Sequence, residues 1–292
     1  MKFCAHYGLR DIDSSVDTLC TYISFLTQRF TSPQSVANYI SGVRLLHKLL
    51  GVESQALASF DVSLMLRAAK LNMRHTPRRK MPVTPVLLHQ LCLLSEGLGT
   101  IGVLLKVAMT FAYYGMLRQS NLAPRTSSAF DPTRHTTRQD IRLAPPGVQI
   151  NLKWSKTLQV ASQGDTVPLP SISGHPTDPV AAYEGLLAAL PTLHPAEPLL
   201  TLPTKRGRRI AVTSAKLHQC LSILLECLGI NPRPYSFHSF RRGGATAAFN
   251  AGVTVLDLQR HGTWKSGAFS DYVTKPCPSK SRVAAAFARS TT

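Results

Sequence analysis

Acidic residues are scarce: 15 Asp plus Glu stand against 33 Lys plus Arg in 292 residues, a formal charge of +18 with His neutral. Chemistry that gathers several carboxylates on one site, such as two-metal phosphoryl transfer, has few to draw on. No cysteine pair has metal or redox spacing. The six Cys, at positions 4, 20, 92, 220, 227 and 277, are scattered without a CxxC, which argues against a zinc ribbon or a disulfide framework and for reduced thiols. Long apolar runs are missing too. The best candidates, Ile101 to Tyr114 and Leu221 to Leu228, are short or interrupted by Lys106 and Glu226, below the roughly 18 residues of a membrane span. In the opening MKFCAHYGLRDID, acids arrive before any apolar stretch, so no secretory signal is expected.

What is present is 44% hydrophobic residues, enough for a sizeable core, and a charge surplus that calls for a polyanionic partner. The first 73 residues are nearly balanced in charge, with apolar positions Val16, Leu19, Ile23, Leu26 and Phe30 at helical spacing. Ser14 or Ser15 is placed to cap the first of these helices, and Thr31, Ser32 and Pro33 to break it from the next. The stretch RHTPRRKMPVTP then brings four basic residues, three prolines and no acid, and reads as a linker over 76–84. Beyond it, helical patterns over Pro85 to Glu96, Ile101 to Tyr114, Val180 to Leu190 and Ser214 to Leu228 flank the alternating stretches VQINLKW and DTVPLP. The expected fold is mainly α with a small antiparallel β-sheet, a three-strand meander or hairpin set within a helical domain.

Four short stretches concentrate unusual residues: FAYYGMLRQSNL, LKWSKTLQ, SFHSFRRGGATAAF and LQRHGTWKSGAFSDYV. Each has an ordinary account when read alone. Arg118 suits a helix C-terminus, Lys156 an exposed turn, and Tyr272 and Trp264 aromatic packing. His238 and Arg241 are spaced i, i+3, so one helix face presents both, either as a polar face or as two donors gripping one oxyanion. The Gly243-Gly244 pair after them predicts close approach of another backbone or a ligand. TKRGRR, with Lys205, Arg206, Arg208 and Arg209, is a basic loop suited to phosphate, to nuclear import or to solvent.

The order Arg, Lys, His-x-x-Arg, Trp, Tyr resembles the tyrosine recombinase (phage integrase) family. GMLRQSNL is similar to its first-arginine box, LKWSKT to the hairpin with the catalytic lysine, HSFRRGGATAAFNAGV to its second box, and GTWKSGAFSDYV to the stretch ending at the nucleophile. The wording of LKWSKT and GTWKSGAFSDYV is closest to the eukaryotic mobile-element branch, DIRS-like or Crypton-like. Asn121 stands where many members carry an acid, and Trp264 where His is commoner, with His261 the competing choice.

The resemblance implies a two-domain DNA clamp: a helical core-binding (SAM-like) domain over 1–75, the basic linker, and a catalytic domain over 85–292. It implies a site-specific recombinase that breaks and rejoins double-stranded DNA through a 3′-phosphotyrosyl intermediate. Tyr272 is the nucleophile, Arg118 and Arg241 the phosphate clamp, His238 and Trp264 further contacts, and Lys156 the general acid. Arg78, Arg79, Lys80, Arg242 and Lys265 are the expected DNA contacts. No metal, ATP or other cofactor, no membrane, a homodimer or homotetramer on DNA and a nuclear location complete the expectation. The competing readings are a non-catalytic DNA-binding protein derived from a mobile element and a topoisomerase IB-like nicking enzyme.

Overall fold

The computed structural model describes residues 2–8, 15–75, 79–145, 147–154, 165–205 and 207–264. The chain divides into two units, Met1–Arg78 and Arg79–Thr292.

The first unit consists of α1 (Lys2–Tyr7), α2 (Val16–Arg29), α3 (Pro33–Leu49) and α4 (Phe60–Asn72). Ser15 caps α2, its hydroxyl accepting from the Thr18 amide at 3.2 Å, and Pro33 opens α3 at the position where a missing N–H costs nothing. The periodic residues Leu19, Ile23 and Leu26 meet Val36, Ile40, Leu57 and Val62 in one core. Each such side chain contributes about 1.5–3 kcal/mol by leaving water.

The second unit begins with α5 (Pro85–Glu96), α6 (Gly99–Tyr114) and the single turn α7 (Gln119–Leu122). A three-strand meander follows: β1 (Ile141–Ala144), β2 (Gly147–Leu152) and β3 (Asp165–Pro170). Its pairs are antiparallel, with Ile141 opposite Ile150 and Ile150 opposite Val167. Next come α8 (Pro179–Ala189), the hairpin of β4 (Thr201–Pro203) and β5 (Arg209–Ala211), and then α9 (Ser214–Cys227), α10 (Phe237–Asn250) and α11 (Val255–His261). The fold is mainly α with small antiparallel sheets, and the β4–β5 hairpin lies where the sequence suggested only a basic loop.

Helix α6 is the axis of this unit. Leu104, Leu105, Val107, Ala108, Met109, Phe111 and Ala112 are all buried, so the helix is apolar over most of its circumference and is packed by α5, α8 and α10, while Lys106 pairs with Glu96 at 2.7 Å. Alternate residues of β2, Val148, Ile150 and Leu152, point into the same core. Thus the end of α6, the start of α10 and the end of β2 are fixed on one framework.

Candidate active site

Beyond Tyr114 the chain turns through Gly115 and Met116, the latter at φ 46°, a left-handed conformation unusual for a side chain of this size. Arg118 follows, half-buried, just before α7. Its backbone N–H donates to Asn121 Oδ1 at 3.1 Å, and Asn121 Nδ2 donates to the Trp154 carbonyl at 2.9 Å. Asn121 is 3% exposed. One buried amide therefore joins the loop of Arg118 to the residue two places past β2.

His238 and Arg241 lie on the first turns of α10. This helix sits close against its neighbours because of its glycines: a Cβ on Gly243 would collide with the Val83 carbonyl, and one on Gly244 with the Tyr113 carbonyl. The close backbone approach expected of the glycine pair is what the structure has. Arg241 is 2% exposed and donates to two backbone carbonyls, from Nη1 to Met116 and from Nη2 to Gly262, the latter at 2.7 Å. Its guanidinium carbon lies 4.2 Å from the centroid of the Trp264 ring. Arg241 thus binds α10 to the turn before Arg118 and to the segment after α11. Trp264 is itself packed with Met116, Ala245 and Leu258.

His238 keeps an exposed edge, yet its pKa is lowered to about 4. Partial burial of the imidazolium is the largest cause, followed by the positive fields of Arg241, Arg242 and Arg118. The imidazole is neutral at pH 7 and can accept a proton. Among the described residues, the charges acting on it are the guanidiniums of Arg241, Arg242 and Arg118, an arrangement suited to an anion. Among the described residues, no group of three or more His, Cys, Asp or Glu side chains gathers as a metal site would.

No family model matches the chain. It is 23% identical over 273 residues to an integrase/recombinase XerD homolog of Selenomonas ruminantium, across 90% of this chain and 74% of that protein. The Tn1549 transposon integrase in complex with circular intermediate DNA is similar in structure, with a TM-score of 0.62 at 14% identity, over 95% of this chain and 87% of that one. A variant of that integrase with transposon right end DNA gives 0.62 at 15% identity, over 98% and 88% of the two chains. The chain has the fold of these integrases.

Of the residues that the sequence assigned to a recombinase site, Arg118, His238, Arg241 and Trp264 come together. Lys156, Tyr272, Arg78 and Lys265 lie outside the described residues. Between the two candidates near the end of α11, the ring on Arg241 is that of Trp264, while His261 Nε2 donates to the Tyr114 carbonyl at 2.8 Å. Arg242 lies beside the site on α10, 9% exposed. Arg79 is exposed, and the Lys80 ammonium donates to the Arg233 carbonyl at 2.7 Å. In the basic loop, Lys205 and Arg208 are exposed, whereas Arg209 pairs with Glu197 at 3.2 Å.

Two supporting features were not anticipated. Asn121 was visible only as a departure from an acid, and its amide turns out to satisfy an N–H and a C=O at once, which a carboxylate cannot do. Lys153, the other lysine of LKWSK, is held by Asp140 at 2.6 Å and by the Thr137 hydroxyl at 3.2 Å. It anchors the end of β2 and is spoken for. The local sequence does not show this anchor, since Asp140 and Thr137 stand more than ten positions earlier.

Proposed function

We propose that this chain is a DNA strand transferase, a site-specific recombinase that cuts and rejoins DNA through a covalent phosphotyrosine at Tyr272. The observation that carries the reading is the junction of Arg118, His238 and Arg241 around one anion-ready place, with Trp264 stacked on Arg241. The XerD homolog and the integrases of similar fold support it.

In this reading, the two arginines hold the non-bridging oxygens of a phosphodiester, where a pentacoordinate transition state gains negative charge. The Tyr272 oxygen attacks phosphorus, and its proton passes to the neutral imidazole of His238. The bond to the 5′ oxygen breaks, and that oxygen takes a proton from Lys156. The 3′-phosphotyrosyl bond conserves the energy of the phosphodiester, so the 5′ hydroxyl of a second strand can reverse the step without ATP. Residues 1–75 act as a core-binding domain, and Arg79, Lys80 and Arg242 add phosphate contacts with the linker. Copies of the chain assemble on paired sites. The stretches LKWSKT and GTWKSGAFSDYV favour the eukaryotic mobile-element branch, and with it a nuclear location.

The test is covalent capture. A pool of nicked duplexes with randomised sequence should yield a denaturant-resistant protein–DNA adduct with the native chain and none with Tyr272→Phe. Equal capture by both proteins refutes the enzyme.

A further inference from the structure

Beside the Arg118 loop, the second unit has a cavity of about 460 Å³ that the mechanism above does not use. Its walls include Gln119, Arg125, Arg134, His135, Trp154 and Ser214 at the start of α9. Trp154 is half-buried, and the Arg134 guanidinium stands 5.8 Å from the centroid of its ring. Arg125 is exposed and has no ion-pair partner among the described residues. The nearby carboxylate of Asp131 lies 3.5 Å from Arg134 and already accepts from the Thr133 amide at 2.8 Å and the Thr133 hydroxyl at 2.6 Å. The cavity therefore combines an aromatic wall with a surplus of positive charge.

Its position matters as much as its lining. Asn121 spans from the backbone of Arg118 to the carbonyl of Trp154 by two hydrogen bonds of 3.1 and 2.9 Å. The backbone of Trp154 therefore lies one side chain's reach from the loop that would hold the reacting phosphate, its indole lines the cavity beside Gln119, and Trp154 precedes Lys156 by two residues. Passing a cut strand to a partner duplex requires that bases next to the cut leave their own partners. An unpaired base offers a π-face that indole and guanidinium groups bind without regard to sequence.

We propose that this cavity receives an unpaired nucleobase next to the reacting phosphate, the base lying on Trp154 and Arg125 facing the adjoining phosphate. The proposal rests on the reading that the chain acts on DNA. It gives the strand-exchange intermediate a binding place of its own, separate from the residues that hold the reacting phosphate.

The chain has two tryptophans, so Trp264→Phe leaves Trp154 as the sole indole reporter. Two probes are compared, a duplex with one unpaired adenine and the same duplex fully paired, with Trp154 fluorescence and the anisotropy of labelled DNA followed together. The unpaired base should quench Trp154, and in the otherwise native chain the bulged duplex should bind about tenfold tighter than the paired one. Trp154→Ala should abolish that preference and Trp154→Phe restore part of it. The preference measurement decides the matter alone if Trp264→Phe does not fold. Equal quenching by the paired duplex or by inorganic pyrophosphate would make the cavity a phosphate site and overturn the proposal, as would a preference untouched by Trp154→Ala. If neither duplex raises the anisotropy of its label, DNA binding itself fails and both readings fall.

Discussion

Acidification tests the electrostatics of the site through His238. An ordinary imidazole has a pKa near 6.5; this one is lowered to about 4 by partial burial and by three guanidiniums. Between those two values the unfolded chain binds a proton at this residue and the folded chain does not. Stability contributed here is therefore whole above pH 6.5 and is lost as pH falls toward 4. Converted in full at about 1.36 kcal/mol per unit, the shift would amount to roughly 3 kcal/mol, but the open edge of the ring admits solvent screening and reduces this to about 1 kcal/mol. A phosphate brought onto Arg118 and Arg241 cancels part of the opposing field, so DNA should raise the pKa of His238 by about a unit or more. The assay is an NMR titration of the imidazole Cε1–H, assigned by its loss in His238→Asn, with and without duplex. Titration near 6.5 in the free protein, or a pKa that DNA leaves in place, refutes the account of the guanidinium cluster.

Further outcomes follow from particular contacts. Asn121→Ala removes the bridge from Arg118 to Trp154 and leaves a buried N–H and C=O without this partner; single-turnover cleavage should slow by about tenfold or more, at roughly 1–3 kcal/mol per group left unsatisfied. Gly243→Ala drives a methyl into the Val83 carbonyl and should lower Tm, whereas Gly185→Ala on α8, where a Cβ meets nothing within 4 Å, should hold or raise it by the equivalent of about 0.5–1 kcal/mol. Lys153→Met leaves Asp140 without its 2.6 Å partner and should destabilise the fold measurably in a denaturant titration, while Lys156→Met should leave stability unchanged and suppress cleavage. Trp264→Ala removes both the ring over Arg241 and the packing on Met116 and Leu258, so it should lose stability by about 3–5 kcal/mol along with rate.

Much of the helical architecture was legible because its signals are local. Thr84 and Pro85 mark the start of α5, and the alternation of VQINL and DTVPLP marks β2 and β3, each within a few residues. The β4–β5 hairpin was not legible. Its strands are three residues each, and its pairing places Thr201 opposite Ala211 across a turn whose basic residues read as solvated loop. At the site, residue types and order pointed to Arg118, His238, Arg241 and Trp264, but not to the contacts that hold them. Arg241 is anchored by the carbonyls of Met116 and Gly262, backbone atoms that carry no sequence signature. The Asn121 bridge and the Lys153 anchor likewise join segments many residues apart, so a reading of the chain in windows passes over them.

The most direct measurement is the identity of the residue joined to DNA. After capture on nicked duplex, nuclease trimming and proteolysis, mass spectrometry should find the nucleotide remnant on the tyrosine of the peptide that contains Tyr272. A remnant on another residue, or protein recovered wholly unmodified from cleaved DNA, contradicts the account.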